Sequence, residues 1–114
     1  MSLSEQNLTW HDFAKVDMRV GTILHAEIFG EAHKPAYKIT IDFGPIGIKK
    51  SSAQLTKLYK PTDLIGKQVI AVVNFPPKQI ANMHSECLIL GVVNDDEVTI
   101  LSPEKQVSNG LRIG

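Results

Sequence analysis

The feature that most constrains how this chain folds is the alternation between Val16 and Ile28. Val16, Met18, Val20, Leu24, Ala26 and Ile28 fall on one face, and Asp17, Arg19, His25 and Glu27 fall on the other. Period two with one apolar face is the pattern of a half-buried strand. The run outlasts the usual strand of roughly 3 to 10 residues, so a flat, straight strand is excluded. Gly21 is the natural place for a bulge or sharp bend, and such a bend lets one strand serve two sheets.

The rest of the chain follows from this strand in order. Trp10 to Lys15 predicts one turn of helix before it, with Thr9 or Asp12 available as caps. After a turn at Gly30 to Pro35, Tyr37, Ile39, Ile41 and Phe43 alternate with Lys38, Thr40 and Asp42. This is a second strand, antiparallel to the first because the connection is short. Gly44-Pro45 opens another tight turn, and Ile46, Ile48 and Lys50 share one face of a short third strand. Ser51 with Gln54 has the form of a capping box and predicts a helix carrying Leu55 and Leu58 or Tyr59 and stopped by Pro61, with a further turn from Thr62 to Ile65 ending at Gly66. Gln68 to Val73 predicts a strand buried on both sides. Cys87 to Val93 is a fifth strand, followed by an Asn94-Asp95-Asp96 turn, Val98 to Leu101, and an irregular tail ending in Leu111 and Ile113.

Three antiparallel strands, a helix and two strands, with the first strand long and bent, is the order of the OB-fold. The predicted fold class is therefore all-β: a five-stranded Greek-key barrel with a short helix between strands 3 and 4 and a C-terminal extension. Such barrels hold oligonucleotides and similar ligands on strands 2 and 3 and on the loops after strands 1 and 4. Here the loop after strand 4, within Val73 to Gly91, is too long to be a mere connection. It carries Pro76-Pro77, one cation, two amides and several apolar side chains, and it sits beside the lysines of strand 3.

Composition bounds the answer further. At 114 residues without a compositional break, residues 1–114 are expected to form a single domain with a sizeable core. Cys87, the only cysteine, lies in an apolar run and reads as a buried thiol suited to a reducing, cytoplasmic setting. There is no leader pattern and no apolar run near the length of a membrane span, so membrane insertion is not expected. The formal charge is zero, but Gly44 to Ser85 carries +5 and the remainder −5. Bulk electrostatic capture of nucleic acid is thereby disfavoured, whereas a local basic surface that attracts a polyanion is not.

Asn74-Phe75-Pro76-Pro77-Lys78-Gln79-Ile80, with Ser85-Glu86 following, resembles the Asn-Leu-Lys-Pro-basic-Lys-Met and Ser-Glu/Gln-Gly-Met signature of the tRNA-binding domain, an OB-fold found on some aminoacyl-tRNA synthetases and in free-standing dimers. Phe13 to Ile23 resembles the opening strand of that family. Ile48 to Thr56, Val69 to Pro77 and the ending Asn109 to Gly114 are similar to the export-related chaperones within it. The resemblance implies a homodimeric molecular chaperone that binds unfolded or presecretory polypeptides and assists the secretion machinery. Its alternative is a structure-selective tRNA-binding protein using the same face. Pro76 and Gln79 stand where the general signature has basic residues, and Cys87-Leu88 replaces Gly-Met. Two missing cations remove two phosphate contacts, each contributing about 0.7 to 0.9 to the salt slope of binding, and leave the loop more apolar.

The RNA-binding candidates are Lys49, Lys50, Ser51, Ser52, Asn74, Lys78, Ser85 and Glu86. The lysines suit phosphate, or else are simply solvated. Asn74 either reads a base edge or a backbone amide, or caps the loop; Ser85 and Glu86 either take a base or ribose contact, or hold the loop through backbone N–H groups. The peptide-binding candidates are Phe75, Pro76, Pro77, Ile80 and Met83, with Phe75 able to stack a base, fill a peptide pocket or pack in a core or dimer interface. Val107, Leu111 and Ile113 are the dimer-interface candidates. Enzymatic readings lack support: His11, His25, His33 and His84 have no metal-ligand spacing, the serines Ser51, Ser52 and Ser85 occur without a nucleophile elbow, and no glycine-rich phosphate loop is present. No catalytic residue, metal or cofactor is implied.

Overall fold

The computed structural model describes residues 6–114; Met1 to Glu5 lie outside the described residues. A short helix α1 (Trp10–Ala14) precedes β1 (Met18–Ile28), and the Thr9 hydroxyl caps it by accepting the Asp12 N–H at 3.0 Å. Then come β2 (Tyr37–Asp42), a 3-10 turn (Gly44–Ile46), β3 (Ile48–Ala53), α2 (Pro61–Leu64) and β4 (Gln68–Val72). Five short strands follow: β5 (Lys78–Ile80), β6 (Met83–Ser85), β7 (Leu88–Ile89), β8 (Gly91–Asn94) and β9 (Glu97–Ile100). The main sheet runs β3-β2-β1-β4-β7, all antiparallel, and curls into an OB-type barrel. Its open seam is bridged where the Glu86 N–H donates to the Lys50 carbonyl at 2.8 Å and the Glu86 carboxylate accepts the Lys50 N–H at 3.1 Å.

One strand does serve two neighbours. Met18 to Thr22 pairs with β4, and Thr22 to Ile28 pairs with β2. The bulge, however, lies at Leu24, between the paired residues Ile23 and His25, and not at Gly21. Ile23 is buried and Leu24, expected on the apolar face, is exposed at the bulge; beyond it Ala26 is buried as expected, whereas Ile28, on the same face, is exposed at the strand's end. Gly21 serves close packing: a Cβ there would stand 2.5 Å from Ile41 and 2.7 Å from the Phe43 ring. Tyr37, Ile39, Ile41 and Phe43 point inward as the alternation predicts, and meet Ile23, Leu55, Leu64, Val69 and Ala71 in the core.

The helix between β3 and β4 is displaced from its expected position. Ser51 to Ala53 continue β3 because they pair with Ile39 to Tyr37, and the Ser51 hydroxyl bonds the Cys87 carbonyl at 3.0 Å instead of capping a helix. Residues 54–60 are irregular, pinned by buried Leu55 and by the Tyr59 hydroxyl, which accepts the Ile100 N–H. Pro61 starts the helix. At the first helical position its missing N–H costs nothing, the Asp63 carboxylate accepts the Lys60 N–H at 2.8 Å, and Gly66 at φ +88 terminates the turn as expected.

Two further corrections concern the second half. The stretch after β4 is a β-hairpin, β5-β6, turned at Ala81-Asn82 with Ala81 at φ +49. The single fifth strand is instead β7 and β8 in different sheets, broken at Leu90, whose N–H bonds Ile70 and whose carbonyl accepts the Leu101 N–H. The C-terminal tail returns along β1, with backbone bonds between Val20 and both Gly110 and Leu111, and between Ile113 and Met18. No helix among the described residues is long and apolar enough to cross a membrane.

Candidate functional site

The site is built by the segment that follows β4. Asn74 leaves the strand and is clamped at once: its side-chain carbonyl accepts the Asp17 N–H at 3.0 Å and its amide donates to the Lys15 carbonyl at 2.6 Å. Pro76 and Pro77 fix their own φ and bias Phe75 and Pro76, the residues before them, towards extended backbone. The chain then enters β5 and returns in β6 beside β3, where the Ser85 hydroxyl accepts the Ser52 N–H at 3.2 Å. A second small core holds the hairpin down, with Met83 buried against Phe29 and Ala36, and Ile80 and Ala32 packed on it.

Between this hairpin, β3 and β7 lies a cleft of about 360 Å³ lined by Ser52, Phe75, Pro76, Lys78, Ile80, Ser85, Cys87 and Leu88. Its wall is largely apolar. Phe75 is 56% exposed although it sits in a well-held segment, so its ring is presented to solvent and not to the barrel. The peptide candidates Phe75, Pro76 and Ile80 and the RNA candidates Ser52, Lys78 and Ser85 therefore meet in one cleft.

Other candidates lie apart from it. Met83 is in the hairpin core, and Pro77 is exposed but does not line the cleft. Ser51 is buried and its hydroxyl is taken by the Cys87 carbonyl. The side-chain hydrogen bonds of Asn74 and Glu86 go to the protein's own backbone, in the loop-holding arrangement. Lys49 and Lys50 point to opposite faces of β3, as successive strand residues must. Lys49 pairs across from buried Ile41 and its charge reaches Cys87, whereas Lys50 pairs across from Thr40 on the outer face. Burial pushes the Cys87 thiol up to about 12, with the adjacent Glu86 carboxylate adding to the effect, so this cleft residue stays a neutral, weakly polar wall.

The sequence reading missed neighbours that only strand register supplies. Residues opposite one another share a face, which makes rows of His25, Thr40 and Lys50 and of Glu27, Lys38 and Ser52 beside the cleft. Lys38 lies 4.8 Å from the centroid of the Phe29 ring and 3.8 Å from the Glu31 carboxylate. Leu88, within the expected fifth strand and not among the candidates, is half-exposed in the cleft. Of the dimer candidates, Leu111 and Val107 are exposed and Ile113 is half-buried, on a tail tied to the barrel through Gln68 and β1. Exposed Trp10 and Leu8, with Phe13, form an apolar depression at the N-terminal side. Arg112 links that side to the tail by donating to the Ala14 carbonyl at 2.8 Å.

The family model described as "Putative tRNA binding domain" matches residues 18–112. The chain belongs to this family. Among solved structures it is similar to the chaperone CsaA from Bacillus anthracis str. Ames, 50% identical with a TM-score of 0.91, covering 95% of this chain and 99% of that one. It is also similar to the CsaA chaperone protein from Picrophilus torridus, 52% identical with a TM-score of 0.89, covering 95% of this chain and 100% of that one. Membership is thus of the CsaA-like kind. A methionine–tRNA ligase from Pyrococcus horikoshii is 35% identical over 104 residues, 91% of this chain but 14% of the ligase. The chain therefore spans only about a seventh of the length of such curated relatives.

Proposed function

We propose that this protein is a non-catalytic, CsaA-like chaperone that holds exposed apolar segments of unfolded or presecretory polypeptides in the cleft beside the β5-β6 hairpin. The observation that carries the reading is the ready-made apolar wall of Phe75, Pro76, Ile80 and Leu88, open to solvent but held in place by Asn74 and the hairpin core. A client Leu or Phe side chain moving from water into such a wall contributes about 1.5 to 3 kcal/mol. Individual contacts of that size suit a holder that must release its clients. The likeness to proteins described as chaperones supports the same reading.

RNA is the second reading, and one observation favours it: Lys78, Ser52 and Ser85 rim the same cleft, with Lys50 and Lys38 on the adjoining face. Sharing makes the two ligands competitors. A cytoplasmic homodimer joined through Val107, Leu111 and Ile113, together with exposed Leu8 and Trp10, completes the proposal, with handover to the secretion machinery as its cellular role.

The test is suppression of aggregation of a chemically unfolded polypeptide at rising salt. Protection at equimolar protein that persists in 0.5 M salt, where the Debye length is only about 4 Å against about 30 Å at 0.01 M, supports the apolar cleft. Absence of protection at several-fold excess overturns it. Steeply salt-dependent binding of tRNA with no protection of polypeptides would favour the second reading.

A further inference from the structure

We infer that the polypeptide track does not end at the cleft but continues over the hairpin into a second apolar groove at the β1-β2 turn, so that the clients taken are extended segments with two separated apolar anchors. The inference rests on the polypeptide reading above and names its substrate class.

The second groove, about 410 Å³, is lined by Ile28, Phe29, Gly30, Ala32, His33, Pro35, Ala36, Tyr37 and Thr56. Its wall includes Ile28, an aliphatic side chain 74% exposed at the very end of β1. Ile28 opposes buried Tyr37 and lies on the face that elsewhere makes the core. An inward-type side chain that runs past the end of the barrel thus lacks the cover its predecessor Ala26 has.

What connects this groove to the cleft is a shared wall. Ile80 lines the cleft and packs on the small core of Phe29, Ala36 and Met83, and Phe29 and Ala36 line the groove. The two depressions are the two flanks of one apolar partition, the hairpin clasped to the β1-β2 turn. Continuity with the cleft is the reason for assigning the same occupant to both. The strands of the hairpin are three residues long, about 10 Å at strand rise, so an extended client crosses it in about three residues and, with one further residue seated on each flank, spaces its anchors roughly five residues apart. One buried apolar anchor changes affinity by no more than roughly a hundredfold, while a second anchor on the same chain binds at the high effective concentration of a tethered site. The polar rim also differs between the ends: Lys78 flanks the cleft, while His33 stands in the groove and Glu31 is paired with Lys38 nearby. Hydrophobic anchoring, not charge, is what the two have in common.

The experiment uses fluorescence anisotropy with two labelled peptides in Gly/Ser background, one carrying a single Leu-Phe-Leu cluster and the other two such clusters five residues apart. The two-cluster peptide is expected to bind at least tenfold tighter to the wild-type chain. Ile28→Asp and, as a milder variant, Ile28→Ser alter a largely exposed side chain and should remove that gain while leaving the one-cluster affinity within twofold. Equal affinities for the two peptides, or a gain that survives both variants, would overturn the inference and leave the cleft reading standing. A change of oligomeric mass in the Ile28 variants, read by sedimentation, would assign the groove to a second copy of this chain instead. If neither peptide binds the wild-type protein, the cleft reading fails and takes the extension with it.

Discussion

Replacing Asn74 by Ala separates a residue that builds the site from one that touches the ligand. The amide makes two bonds, accepting from the Asp17 N–H at 3.0 Å and donating to the Lys15 carbonyl at 2.6 Å. An intramolecular hydrogen bond contributes about 0.5 to 1.5 kcal/mol net. Both bonds lie in an exposed region, where water replaces the lost partners, which puts the pair at about 1 to 2 kcal/mol. For a chain of this size about 1 kcal/mol corresponds to a fall in Tm of about 4 °C, so Asn74→Ala should lower Tm by about 4 to 8 °C in calorimetry. Asn74→Asp keeps an acceptor for Asp17 but sets a carboxylate against the Lys15 carbonyl, and should be no better than Ala. Binding should weaken in both variants, because the segment leading to Phe75 loses its anchor. A variant with unchanged Tm and sharply reduced tRNA affinity would refute the clamp and make Asn74 a ligand-reading residue.

The remaining predictions test the frame and the walls of the site. Gly21→Ala places a methyl against Ile41 and Phe43, both fully buried, and should cost about 1 to 3 kcal/mol, measurable as a shifted urea midpoint. Ala81→Gly relieves a left-handed residue at φ +49 and should stabilise by about 1 kcal/mol, raising Tm without altering the sheet signal in circular dichroism. Cys87 should resist a disulfide-exchange reagent at pH 8 until the chain is denatured, since its folded thiol ionises only near 12. Because the folded form retains that proton longer than the unfolded form, with its ordinary value of 9.0, the thiol lowers stability as pH rises from about 9 towards 12, and Cys87→Ser should flatten this part of the profile. Phe75→Ser should abolish protection of an unfolded client while leaving Tm within 2 °C, the ring being more than half exposed.

Strand periodicity carried the first half of the fold. β2 alternates as a half-buried strand must, and the double service of β1 follows from its length. The bulge escaped because Gly21 satisfies every local criterion for one, and its true need for a missing side chain arises from Ile41 and Phe43, in and just past the neighbouring strand and about 20 residues on in sequence. The helix was misplaced for a related reason. Ser51-x-x-Gln54 is a valid cap pattern, but pairing with β2 and the Cys87 carbonyl claims Ser51 first. In the site, composition revealed the apolar, proline-stiffened segment, yet the hairpin turn at Ala81-Asn82 lacks the glycine that would announce it. The convergence of Ser52 and Leu88 on Phe75, and the opposite directions of Lys49 and Lys50, are matters of register that no linear spacing encodes.

The claim that the cleft takes the polypeptide is tested most directly by titrating an unlabelled unfolded peptide into the isotope-labelled protein and following backbone amide resonances. Saturable shifts are expected to concentrate at Ser52, Phe75, Lys78, Ile80, Ser85 and Leu88, to spread to Phe29 and Ala36 for a two-anchor peptide, and to be lost in Phe75→Ser. Saturable shifts confined to the β8-β9 hairpin or to α1, with the Phe75 and Ile80 amides unmoved, would contradict it.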